Sequence, residues 1–149
     1  MPIDAPTIAE EDRLWGELRS TIDAFDPHEA VRPGYFAEGW SAKDGLAHIG
    51  TWLAEAGVAL EQIRHGTYVE LHADEIDEMN ARFLDAMRDV SLADVKAQAA
   101  AARSRMLHAW GQFPSPDEAA TSWIRKAGPE HYREHLPRLQ AWLAELHGE

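Results

Sequence analysis

The sequence predicts an all-α protein: a four-helix bundle with a short extra helix, in a single domain over residues 1–149. Three observations lead there. Apolar residues recur at helical steps along almost the whole chain, the period of a helix buried on one side. Capping residues and Gly or Pro breakers cut that pattern into segments of helical length. No stretch alternates apolar and polar residues between turn signals, as a half-buried strand would.

Ile8, Trp15, Leu18, Ile22 and Phe25 form the stripe of the first helix. Thr7 followed by Glu10 reads as the capping box that starts it, and Asp26-Pro27 stops it, because the residue before a proline is pushed out of helical geometry. Residues 27–40 read as a loop broken by Pro33-Gly34 and Gly39. Ser41 is an N-cap with Asp44 at the third helical position, where a carboxylate is favourable. The second helix then runs to about Arg64 along Leu46, Ile49, Leu53, Ala56, Leu60 and Ile63, the cleanest amphipathic pattern in the chain. His65-Gly66 is its stop.

A connection over 66–73 leads to a shorter helix marked by Ile76, Met79, Phe83, Met87 and Val90. Ser91 caps the next, whose stripe is Leu92, Val95, Ala99, Ala102, Met106 and Ala109. Residues 112–121, with Pro114 and Pro116, read as a loop, and the last helix starts near Pro129 and ends near His147-Gly148. The long connection between the second and third main helices leaves room for a crossover, so the helix order is open between up-down and crossed forms.

Composition narrows the function. Asp and Glu outnumber Lys and Arg 26 to 14, a formal net charge of -12. A chain so charged, without a basic run, is a poor partner for nucleic acid or an anionic membrane surface. No cysteine is present, which excludes disulfides, thiolate metal sites and a cysteine nucleophile. The acidic start, MPIDAPTIAEEDRLW, has no apolar core of the kind a secretory signal needs, and no apolar run reaches the ~18 residues of a membrane span. The expectation is a cytoplasmic protein acting on a small molecule.

The most specific local feature is His131-Tyr-Arg-Glu-His135. Two histidines four apart on a helix stand one above the other, with Cβ atoms about 5–6 Å apart, and can converge on one divalent ion. The pattern also arises by chance, and two ligands make a weak site. A third should come from a neighbouring helix. His48 is the best candidate, on the flank of the second helix about 100° from the centre of its stripe; Trp52 and Glu55 share that flank. His28, His65, His72, His108 and His147 read as solvated surface residues. Asp44, four before His48, either orients that ring or only serves the helix cap. Trp52 and Asn80 are candidates for lining a pocket; core packing and surface polarity are the alternatives. Pro137 should bend the last helix just after His135, either wrapping it around the core, the preferred reading, or aiming the two histidines.

Taken together, Gly39-Trp-Ser-Ala-Lys-Asp44 leading into Leu46-Ala-His48-Ile49, the segment Asp74-Glu-Ile-Asp-Glu-Met-Asn80-Ala-Arg-Phe83, and Glu130-His-Tyr-Arg-Glu-His-Leu136 resemble the DinB/YfiT-like superfamily. That superfamily includes the N-terminal domains of mycothiol-dependent maleylpyruvate isomerases. The resemblance spans nearly the whole chain, with the two histidine motifs its specific part. It implies a four-helix bundle, often a homodimer, holding a divalent metal, commonly zinc or nickel. By the resemblance the ligands are His48, His131 and His135. It also implies chemistry with a low-molecular-weight thiol cosubstrate (mycothiol, bacillithiol or glutathione), in S-transfer or isomerisation. A chain without cysteine is compatible with a thiol that arrives from outside. The alternatives are a metal-dependent hydrolase using metal-bound water and a non-catalytic protein that binds or sequesters a small molecule. Some thiol-dependent members carry Glu where this chain has His131, so an all-imidazole set carries more positive charge. Substrate contacts made by the second domain of the longer isomerases are not carried over to this chain.

Overall fold

A computed structural model describes residues 5–148. The described residues form seven helices and no strand: α1 (Ala5–Asp23), α2 (Pro27–Ala30), α3 (Ala42–His65), α4 (Ala73–Met87), α5 (Leu92–Gly111), α6 (Glu118–Ala127) and α7 (Pro129–Leu146). The four long ones, α1, α3, α5 and α7, make the bundle; α4 and α6 lie against α3. No helix among the described residues is long and apolar enough to cross a membrane.

The capping signals explain the boundaries. Ser41 Oγ accepts from the Asp44 N–H and the Asp44 carboxylate accepts from the Ser41 N–H, closing a capping box. Gly66 ends α3 in the left-handed conformation, with φ 74°, which glycine adopts without a Cβ penalty. Ser91 caps α5 through the Asp94 N–H.

Three sequence expectations need correction. The Thr7–Glu10 box does not start α1; the helix already runs from Ala5, and Thr7 lies inside it. Pro6 is suited to that first turn, where its missing N–H costs nothing. The helix ends at Asp23, before the expected Asp26-Pro27 stop, and those two residues start a helix instead. Asp26 caps the single turn of α2 in a capping box with Glu29. Finally, the expected loop at 112–121 gives way at Glu118 to α6, capped by the Asp117 carboxylate on the Ala120 N–H.

The helix order is crossed. A Cβ on Gly50 of α3 would lie 3.2 Å from Cα of Ala99 on α5, and one on Gly57 would lie 3.7 Å from Cα of Met106. Contacts that advance together along both chains mean that α3 and α5 run parallel, with α4 in the connection. On α5, Arg103 meets Glu11 while the earlier Lys96 meets the later Asp23, so α1 and α5 are antiparallel. Trp15 and Glu11 of α1 meet Tyr132 of α7.

The core is shared by all four long helices, with Leu18, Ile22, Ile49, Leu53, Leu60, Met106 and Leu139 inaccessible to solvent. Fully burying such a side chain contributes about 1.5–3 kcal/mol. Lys43 is also buried, and its Nζ donates to the carbonyls of Arg88 (2.9 Å) and Val90 (2.7 Å) just after α4. That bond ties the end of α4 to the start of α3.

Candidate metal centre and its cavity

The start of α3 and the start of α7 bring His48, His131 and His135 to one place. Each ring offers one nitrogen, and these three atoms lie within 4.8 Å of one another. Nε2 of His48 stands 3.1 Å from Nε2 of His131. Two nitrogens bound tetrahedrally to one ion at about 2.0–2.1 Å are about 3.3 Å apart, so this pair already stands at ligand spacing. Without an ion, the same separation allows one ring to donate a hydrogen bond to the other.

His135 is buried, at 3% exposure. Its Nδ1 lies 2.7 Å from the hydroxyl oxygen of Tyr35, and that hydroxyl has a long donor contact, 3.5 Å, to the His135 carbonyl. With the phenol hydrogen directed at the carbonyl, the phenol oxygen accepts from Nδ1–H. The lone pair of His135 then sits on Nε2. Fixing the tautomer of a ligating imidazole from its far side is a recurring feature of metal sites.

All three rings are held neutral. Burial pushes His48 down to about 4, helped by His135. It pushes His135 down to about 4 and His131, which also faces His48 and His135, down to about 3. Neutral imidazole is the ligand form. The donor set, its spacing and its protonation fit a divalent ion that accepts nitrogen ligands, zinc or nickel among them.

Aromatic rings enclose the cluster. Trp40 lies 5.3 Å from His48 and Phe36 lies 5.6 Å from His135, between ring centroids. On the open side is a cavity of about 540 Å³ that reaches His48 and His131, a size usual for small-molecule sites. Its walls include Trp52 and Trp123, stacked at 6.3 Å and 27°. Trp52 Nε1 donates to Asn80 Oδ1 at 2.6 Å, and Trp123 Nε1 donates to the Tyr68 hydroxyl at 2.9 Å.

Trp52 and Asn80 both line the cavity. Asp44 is spent on the Ser41 cap and is not part of the cavity wall. His28, His65, His72, His108 and His147 are all exposed, as expected. Pro137 is accommodated inside α7 on its exposed side. Sequence reasoning missed Tyr35, Tyr68 and Trp123. For Trp123 a signal existed: Ala119, Ser122, Trp123, Lys126 and Ala127 are spaced as one helical face, and all five line the cavity.

No family model and no curated protein matches the chain. A fold relative exists. A solved crystal structure of an uncharacterised protein from Escherichia coli UTI89 superposes with a TM-score of 0.80 at 15% identity, covering 97% of this chain and 94% of that one. At that identity the likeness establishes the shared helical fold alone.

Proposed function

We propose that this protein is a divalent-metal-dependent enzyme of the DinB/YfiT-like kind, acting on a small molecule in the cavity beside His48 and His131, by thiol-dependent S-transfer or isomerisation. The observation that carries this reading is the convergence of three neutral imidazoles at the end of a walled cavity. His48, His131 and His135 would hold the ion. Bound there, it supplies Lewis acidity toward a substrate carbonyl and favours the thiolate form of an arriving thiol.

The chain's own residues do the rest. With its phenol hydrogen on the His135 carbonyl, Tyr35 would occupy Nδ1 of His135 and leave its Nε2 available. Trp40 and Phe36 shield the two rings from water on the side away from the cavity. Trp52 and Trp123 offer a flat apolar wall that fixes the approach of a substrate. The lack of cysteine means the nucleophilic sulfur comes with a cosubstrate.

The test is elemental analysis of protein purified without a histidine tag, beside the His48→Ala and His131→Ala variants. Wild type should carry about one zinc or nickel per chain and both variants far less. Turnover of an electrophile with mycothiol, bacillithiol or glutathione should need that metal. Equal, negligible metal in all three proteins overturns the reading. Metal without thiol dependence moves it to the hydrolase alternative.

A further inference from the structure

We propose that the cavity selects an amphipathic carboxylate, with its apolar, flat-faced body on Trp52 and Trp123 and its anionic end on Lys126. This deepens the reading of the cavity as the substrate site and rests on it.

The apolar half of the argument comes from the tryptophans. Both indole N–H groups are already engaged, by Asn80 and Tyr68. What the rings present to the cavity is therefore face and edge, which favour an apolar or aromatic body. Leu71 and Ile76 extend that wall. On α6, the small residues Ala119, Ser122 and Ala127 line the cavity beside Trp123 and keep it open. The stretch from residue 119 to residue 127 gives a wall about 12 Å long at 1.5 Å per residue.

The polar half comes from the remaining lining groups, which are mainly donors. Lys126 sits one turn beyond Trp123 on the same face, and among the described residues no carboxylate pairs with it. Asn80 gives its oxygen to Trp52 and so keeps both amide hydrogens for a ligand. Ser122 adds a hydroxyl. Glu70, exposed on the 66–72 connection, is the one lining carboxylate.

The protein as a whole opposes this selection, which makes it diagnostic. A chain with net charge -12 repels anions and draws cations. If bulk electrostatics decided, an amine would bind better than the matching acid.

The experiment uses three probes with one apolar body: phenylbutyrate, phenylbutylamine and phenylbutanol. Binding is read by tryptophan fluorescence and calorimetry at low salt, on the chain as purified and after dialysis against a chelator. The acid should bind about two- to fivefold tighter than the amine in both states, the size of difference one exposed charge gives. Lys126→Glu should invert the order, Lys126→Gln should level it, and Glu70→Gln should tighten the acid. Trp123→Ala should weaken all three probes alike. Lys126 is exposed, and an unchanged helical circular dichroism spectrum verifies folding. An amine bound as well as the acid, an order unmoved by Lys126→Glu, or no binding of any probe overturns the proposal. Acid preference confined to the metal-containing protein also overturns it, while leaving the metal reading intact. Acid preference in a chain that carries no metal as purified, before any chelator, leaves this proposal standing and removes the metal reading.

Discussion

The hydroxyl oxygen of Tyr35 lies 2.7 Å from Nδ1 of His135, although 100 residues separate them in the chain. Tyr35 is inaccessible to solvent, and burial pushes its phenol up beyond the range in which it ionises in ordinary buffers. It therefore serves His135 as a neutral hydrogen-bonding group.

Tyr35→Phe should keep the fold and lose grip on the ion. The variant retains the ring and removes one oxygen, so His135 keeps its place but loses the partner that fixes its tautomer. Loss of such a partner typically costs about 10- to 100-fold in metal affinity. Competition with a chromophoric chelator measures it. Affinity equal to wild type would show that Tyr35 only fills space.

Acid should weaken the metal-free fold in a window set by the three rings. In the unfolded chain each histidine takes its proton near pH 6.5; folded, His48 and His135 do so near 4 and His131 near 3. Between those limits the unfolded state binds more protons, so stability falls as pH falls. The slope is at most about 1.4 kcal/mol per pH unit for each ring. Urea titrations of chelator-treated protein between pH 7 and pH 5, above the carboxylate range, should show the decline. The triple variant His48→Gln/His131→Gln/His135→Gln should flatten it. Metal should be released over the same fall in pH, since protons compete for the same lone pairs.

The imidazole cluster was legible in the sequence because its information is local. His131 and His135 are one helical turn apart, and His48 sits on the flank of a strongly patterned helix, where a neighbour can reach it. Tyr35 was not legible. It lies in a loop, in a turn where its own N–H and that of Gly34 both donate to the Trp40 carbonyl, and only tertiary packing places it against α7. The wall formed by α6 was hidden for another reason. A short helix gives few periods to count, and the Pro114–Pro116 stretch ahead of it reads as loop. Parallel α3 and α5 were left open by the sequence, since a connection long enough to hold α4 permits either direction. The close approach of Gly50 to Ala99 is what makes that neighbour relation explicit.

Arg103→Met should be among the more destabilising single changes. Glu11 is inaccessible to solvent and receives Arg103 Nε at 2.8 Å, Arg103 Nη2 at 2.7 Å and the Tyr132 hydroxyl at 2.8 Å. The group joins α1, α5 and α7, the last through Tyr132, the residue that follows His131. Removing the guanidinium leaves a buried carboxylate with one neutral partner, a loss of about 3–5 kcal/mol by precedent. Chemical denaturation measures it. The double variant Glu11→Leu/Arg103→Met should recover part of the loss, because it no longer buries a charge. A single variant as stable as wild type would mean that water reaches Glu11.

Gly45→Ala tests whether α3 must make room for Tyr35. A Cβ at Gly45 would lie 2.9 Å from Cε2 of the Tyr35 ring, closer than real Cβ contacts. The ring has nowhere simple to go. It is fully buried, stacks on Phe36 at 4.3 Å and holds His135 through its hydroxyl. Overpacking of this kind costs about 1–3 kcal/mol, and here the displacement passes to His135. Metal affinity should therefore fall together with thermal stability. Gly16→Ala is the matched control: Gly16 is exposed inside α1 and nothing stands within 4 Å of its added Cβ. That change should stabilise the protein by about 0.5–1 kcal/mol through helix propensity and leave the metal untouched. If Gly45→Ala instead follows Gly16→Ala, the Tyr35 ring has slack, and His135 does not depend on its position.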